Sequence, residues 1–246
     1  MGSGDGGEDE RPEHEVTLDT FWIAATPVTQ AEYAVFVRAT GRRVPGVREL
    51  PAIVRPQDAE AFRLRAAPYA WTGVMPPEGL GDHPVVLVSF EDAVEYCAWL
   101  SGASGRPFRL PSEAEWEKAA RGGLERRRYP WGDDIDLSLA NFAPHPQHRT
   151  GRGTCAVRLH PPNACGVYGM AGNVWDWVND WYDPGYYLDA DPVGPVGPGS
   201  GALRVVRGGA WTNADVNYLR CAYRHPVPPD TYSYSIGFRV ASVEGA

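Results

Sequence analysis

Three helix-start signals stand far apart in this chain, and little between them has a period. Thr29-Gln-Ala-Glu32, Ser89-Phe-Glu-Asp92 and Ser112-Glu-Ala-Glu115 each put a hydroxyl residue three positions before an acid. In such a capping box the hydroxyl accepts an early backbone N–H, and the acid returns a bond to the N-cap amide. The first predicted helix carries Tyr33, Phe36 and Val37 at helical spacing and stops near Gly41. The second turns Ala93, Tyr96, Cys97 and Leu100 inward, so Cys97 reads as a small core residue. The third packs through Trp116, Ala119 and Ala120 and ends at Gly122-Gly123. Glu113 and Glu115 suit its N-terminal dipole and read as capping residues, not as a catalytic carboxylate pair. With 28 Gly and 23 Pro punctuating the rest, loops should outweigh regular structure, and the 9 Trp should supply the packing.

Strand signals are short. Val16–Ile23 reads as a strand, and Val85-Val-Leu-Val88 as a buried one. Residues 42–84 hold seven Pro and no clear period, so they read as a long irregular excursion, and loops of that length are usually functional or mobile. Gly166-Val-Tyr-Gly-Met-Ala-Gly-Asn-Val-Trp-Asp-Trp177 should form the heart of the core. Near the end, Arg204-Val-Val-Arg-Gly-Gly-Ala-Trp211 reads as a strand and a Gly turn, and Ile236-Gly-Phe-Arg-Val240 as a closing strand. Between them lies a run of Asn, Asp, Tyr, Ser, His and Pro that suits a recognition surface. No boundary splits the chain, so 1–246 reads as one domain.

A net charge of −8 argues against sequence-independent nucleic-acid binding, which needs Lys and Arg to neutralise phosphates, but it leaves room for a local basic patch. No segment reaches the ~18 apolar residues of a membrane span. The acidic, Gly-rich start lacks the pattern of a signal peptide. Four Cys (97, 155, 165, 221) are too few for a disulfide scaffold, so the expected location is the cytoplasm. His145 and His148, three apart in a Pro-flanked loop, read as exposed polar residues and not as a metal pair.

Five ordered segments carry a resemblance. They are Arg109-Leu-Pro-Ser-Glu-Ala-Glu-Trp116, Pro130-Trp-Gly132, Met170-Ala-Gly-Asn-Val-Trp-Asp-Trp177, Arg207-Gly-Gly209 and Ile236-Gly-Phe-Arg239. Together they resemble the formylglycine-generating enzyme, or sulfatase-modifying factor, domain family over essentially the whole chain. The resemblance implies an α+β, C-type-lectin-like fold, loop-rich, with small antiparallel sheets and two to three flanking helices. Founding members oxidise a target cysteine to formylglycine with oxygen and a copper ion held by two cysteines. The positions matching the family's serine and two cysteines are Ala210, Asn213 and Tyr218 here. Copper(I) wants soft thiolates, so copper is not expected. Cys221 is the nearest thiol, in the Leu219–Arg224 strand segment. The family also implies calcium, held here by Asp176 and the carbonyls of Gly172 and Val174, with Gly169 where an amide ligand belongs. A second family calcium site would use Asn141 and the Phe142 carbonyl, and its acid falls near Arg149.

A further branch of the resemblance uses this fold for recognition: the variable proteins of diversity-generating retroelements. Their display loop corresponds to Trp211, Thr212, Asn213, Asp215, Asn217 and Tyr218, then His225, Asp230, Tyr232, Ser233, Tyr234 and Ser235, with Arg224 a secondary ligand candidate. Tyr, Ser and Asn are residues of adaptable paratopes. Arg220, Arg224 and Arg239 are expected mainly to brace loops. The expected function is a ligand- or protein-binding module with no nucleic-acid or membrane partner. The alternative is a metal-dependent oxidase of the formylglycine-generating type with an altered site.

Overall fold

The computed structural model describes residues 1–142 and 153–243. All three capping boxes form. Thr29 opens α1 (Gln30–Thr40), Ser89 opens α3 (Phe90–Ser104) and Ser112 opens α4 (Glu113–Arg121). Each of these helices ends on a left-handed glycine, Gly41, Gly105 and Gly122. A fourth helix, α2 (Ala59–Ala66), lies inside the 42–84 excursion. It lacks a side-chain N-cap bond, so the sequence offers no start signal for it.

The strands are β1 (Phe21–Ile23), β2 (Phe108–Arg109), β3 (Trp175–Trp181), β4 (Arg204–Arg207), β5 (His225–Val227), β6 (Ile236–Phe238) and β7 (Ala241–Val243). Among the described residues they form one sheet in the order β1-β7-β2 and another in the order β5-β4-β3-β6. The pairs are antiparallel except β3 with β6, which run parallel with Trp175 opposite Ile236. The fold is the expected loop-rich α+β arrangement, with four helices where two to three were expected.

Three strand expectations need correction. Leu219–Arg224 forms no strand: a 3-10 turn ends at Leu219, and β5 begins only at His225. The 16–23 strand shrinks to Phe21–Ile23, and upstream of it Thr17 donates its N–H to the Pro192 carbonyl at 2.7 Å. Residues 85–88 are buried as expected but form no strand. Leu87 has a left-handed backbone, φ 62°. Val85 N–H bonds the Val28 carbonyl at 2.8 Å, and Leu87 N–H bonds the Ser233 carbonyl at 2.9 Å. Burial demanded partners for these amides, and scattered carbonyls supplied them in place of a ladder. The segment crosses β6 so closely that a Cβ on Gly237 would sit 2.5 Å from the Val85 carbonyl oxygen.

Trp116, Trp177 and Phe238 are completely buried and centre the packing. The 42–84 excursion is not draped loosely over the surface. Phe62, Ala66 and Tyr69 join Trp211, Tyr232 and Val174 in one apolar cluster. Among the described residues, no helix is long and apolar enough to cross a membrane.

Candidate functional site

Strand β4 delivers the chain to the turn that shapes the site. Gly208 and Gly209 adopt φ +97° and +74°, which L side chains rarely adopt. A Cβ on Gly208 would approach the Trp116 ring at 3.0 Å, and one on Gly209 would meet the Tyr218 carbonyl oxygen at 2.9 Å. The loop therefore folds back on its own turn. Ala210 N–H donates to Asn213 Oδ1 at 2.7 Å, and Asn213 N–H returns to the Ala210 carbonyl at 3.0 Å. Asp215 Oδ1 accepts from Asn217 N–H at 2.9 Å and caps the 3-10 turn Val216–Leu219.

That turn places Tyr218 in an aromatic cluster. Its ring lies 5.9 Å from Trp175 and 4.9 Å from Tyr223, edge-on to both. His225 stacks on Trp175 at 4.9 Å. Trp175 is buried, and the other three are half-buried. Burial pushes the Tyr223 hydroxyl up to about 12, with Tyr218 and Asp9 adding to the shift, and burial lowers His225. These groups are neutral at pH 7. They offer ring faces and polar tips, not proton transfer.

The expected display residues divide. Thr212, Asn213, Asp215, Asn217, Tyr218, His225, Asp230 and Tyr234 reach solvent at least in part. Trp211, Tyr232 and Ser233 do not stand out as a display face and are buried. Trp211 Nε1 donates to the Tyr234 carbonyl at 3.1 Å, and its ring meets Tyr69 of the excursion at 6.5 Å. Tyr232 hydroxyl bonds the Glu49 carbonyl, and the Ser233 carbonyl accepts from Leu87. The physical reason is the excursion, which seals one half of the loop. Sequence reasoning missed Tyr223 as a half-buried member of this cluster, whereas Trp175 is buried in the core as the Gly166–Trp177 segment led one to expect. The position of Tyr223 in the expected Leu219–Arg224 strand segment gave no sign of this contact.

Arg224 also fails as a ligand group. Its Nε donates to Glu113 Oε1 at 2.8 Å and its NH2 to Oε2 at 3.0 Å, with its side chain fully enclosed. Arg207 NH1 shares the same Glu113 oxygen at 2.9 Å, and its NH2 reaches Glu117 at 2.8 Å. Arg207 further donates to the carbonyls of Cys221 and Ala222, at 2.5 and 3.1 Å. The buried acids of α4 thus tie down both ends of the candidate loop. Arg220 braces too, with both terminal nitrogens on Glu10 at 2.6 Å.

Asp180 belongs to the same buried group and accepts Glu113 N–H at 2.8 Å. Burial, then the Glu113 charge, push its carboxyl up from 3.8 to about 8. The folded state therefore holds a proton that the unfolded state has released between pH 4 and 8, and stability falls as pH rises through that window. Asp180→Asn is neutral throughout. Its stability relative to the parent should rise with pH by about 1.4 kcal/mol per unit at most. Urea midpoints at pH 5, 6.5 and 8 check this, and a constant difference would refute it.

The implied metals fit poorly. No thiolate stands at the two copper positions. Asn213 spends its side-chain oxygen on the loop, and Tyr218 packs into the aromatic cluster. Cys221 is buried, its thiol pushed up to about 12 by burial, and packs with Trp116 and Val205 in another cluster. At the calcium position, Asp176 Oδ2 accepts from Arg239 Nε at 2.6 Å and from Trp116 Nε1 at 3.0 Å. Its Oδ1 is buried without a partner, which favours a cation, but the adjacent guanidinium already balances the charge. One such oxygen with the carbonyls of Gly172 and Val174 falls short of the six to eight that calcium takes. Asn141 bonds Gly153 and Asn173 through its amide nitrogen, at 3.0 and 3.2 Å. Arg149, His145 and His148 lie outside the described residues.

With this fold and site in view, the chain belongs to the sulfatase-modifying factor enzyme 1-like domain family, whose model matches residues 1–243. It is 38% identical to the formylglycine-generating enzyme of Streptomyces coelicolor, over 98% of this chain and 84% of that one. It is 37% identical to the serine/threonine-protein kinase Pkn1 of Chlamydia trachomatis over 98% of this chain, but spans only 36% of that kinase. Variable protein 1 of Treponema denticola shares the fold, with a TM-score of 0.74 at 24% identity over 98% of this chain and 90% of that one.

Proposed function

We propose that this domain is a binding module that recognises a protein or small-molecule ligand through residues 212–218 and the neighbouring aromatic cluster. It performs no copper-dependent oxidation. The observation that carries this reading is what occupies the two thiolate positions. Asn213 holds the Ala210 amide, and Tyr218 fills the space over Trp175 with a ring. Both side chains build a surface where the resemblance puts a metal. Thr212, Asp215 and Asn217 flank the aromatics with polar groups open to solvent. Aromatic bodies with polar tips, on a loop fixed from both ends, are what adaptable recognition uses. The charge of −8 fits a ligand that is neither nucleic acid nor an anionic membrane surface. A cytoplasmic setting suits the free thiols of all four cysteines.

Selection of a displayed peptide library on the immobilised full chain tests this. Peptides selected on the parent should lose at least tenfold in affinity for Thr212→Arg/Asn217→Arg, since both side chains sit on the exposed rim. Equal binding to both proteins would place recognition elsewhere. Incubation with a cysteine-bearing sulfatase peptide, copper(I) and oxygen should leave the cysteine intact by mass spectrometry. Formylglycine in that peptide would overturn the non-catalytic reading.

A further inference from the structure

A cavity of about 450 Å³ opens between the N-terminal loop and the segment after α4, and Arg220 and Ala222, just beyond the 212–218 loop, complete its wall. Arg121, Arg126, Arg127, Arg128 and Arg220 line it. Such a cluster on a chain of net charge −8 is a local arrangement, not a reflection of bulk composition. Two of the five are fixed from behind. Arg220 is forked onto buried Glu10, and Arg121 onto buried Glu117 at 3.0 and 2.8 Å. These form a rigid wall whose positive charges Glu10 and Glu117 already balance.

The other three are held only from the rim. Arg126 Nε meets Glu13 at 3.1 Å, Arg127 NH1 meets Asp133, and Arg128 NH2 meets Asp5 at 3.1 Å. Each carboxylate grips one edge of its guanidinium. Among the described residues, both terminal nitrogens of Arg126, Nε and NH2 of Arg127, and Nε and NH1 of Arg128 have no protein acceptor. Meanwhile the backbone of the triplet is tied down. Cys221 N–H donates to the Arg128 carbonyl at 2.7 Å, Arg121 to the Arg127 carbonyl at 2.9 Å, and Arg128 N–H to Asp133 at 3.1 Å. The loop is thus preorganised while its donors remain available.

We infer that this cavity binds a phosphate-bearing small molecule, a phosphomonoester or diphosphate. The free guanidinium edges match the bidentate geometry of phosphate oxygens. The volume suits a small molecule. Asp5 and Glu13 act as stand-ins, single negative charges occupying part of the Arg128 and Arg126 forks, while Asp133 stays in place holding the Arg128 amide. Exposed pairs of that kind contribute little, so a dianion that engages several forks together displaces them.

Calorimetric titration of the full chain with inorganic pyrophosphate, at constant ionic strength, tests the inference. One saturable site per chain is expected. Arg127→Gln/Arg128→Gln should weaken it at least tenfold, and Asp5→Asn should tighten it several-fold by removing a competitor from Arg128. If the double variant does not fold, Arg126→Gln, whose side chain is 82% exposed, should weaken binding several-fold instead. Absence of saturable binding would overturn the proposal. So would affinity unchanged in the arginine variants, or equal to that for chloride at matched ionic strength. An Asp5→Asn affinity at or below the parent's would refute the stand-in role. Because none of these variants alters residues 212–218, either outcome leaves the loop-face reading to its own test.

Discussion

Glu113→Gln is expected to lower the unfolding free energy by about 3–5 kcal/mol, seen as a fall in the urea midpoint at unchanged slope. Glu113 is 1% exposed, and the Arg207 and Arg224 side chains it faces are fully buried. One of its oxygens accepts from both arginines and the other from Arg224. Glutamine keeps the shape but loses the charge, and turns an N–H donor toward a guanidinium. Arg207 would then rely on Glu117 alone, which Arg121 also engages. Breaking a buried pair from one side costs far more than the intact pair contributes, because a charge is stranded. The damage should spread to the candidate site. Arg207 immediately precedes the Gly208-Gly209 turn and holds the carbonyls of Cys221 and Ala222 beyond the loop. A loss below 1 kcal/mol would mean that water or side-chain rearrangement compensates, and the bracing role would fail.

Glu113 also shows what sequence can and cannot convey. The capping chemistry around it is local and was legible, because Ser112 and Glu115 stand three residues apart. Its arginine partners lie 94 and 111 residues away, so no window reveals them. The same division runs through the fold. Thr29, Ser89 and Ser112 announced their helices, since the bonds that start a helix are made within four residues. Val85–Val88 looked like a strand because β-branched residues fit one. Its backbone partners, Val28 and Ser233, are supplied by the tertiary fold, and β6 crosses it without pairing. In the candidate site, the replacements at Ala210, Asn213 and Tyr218 were readable one position at a time. What the sequence hid was cover. Tyr232 and Trp211 are the residue types of a binding face, but Glu49, Phe62 and Tyr69 arrive from the excursion to enclose them.

The Asp176 carboxylate poses the sharpest question about metal, and Asp176→Ala gives the second large effect, a loss of about 3–5 kcal/mol. Arg239 is completely buried and has Asp176 as its ion-pair partner at 2.6 Å. Without it, the guanidinium keeps only the carbonyls of Ala24, Tyr168 and Gly169, at 3.3, 3.0 and 3.3 Å. Trp116 Nε1 is orphaned as well, within the packing that sets the Gly208 turn. A calcium role and an ion-pair role both predict that the single substitution is harmful, so the single variant does not separate them. Two further measurements do. If the carboxylate serves Arg239, then Asp176→Ala/Arg239→Met should recover at least half of the loss, since replacing both partners of a buried pair by apolar groups is commonly tolerated. EDTA should then leave the parent's urea midpoint in place. If the carboxylate serves calcium, EDTA should reproduce most of the Asp176→Ala loss in the parent, and the double variant should recover nothing. The 2.6 Å contact with a guanidinium that has no solvent to turn to favours the first outcome. In that case a carboxylate position that the family resemblance assigns to an ion has become a structural strut between β3 and the chain just beyond β6.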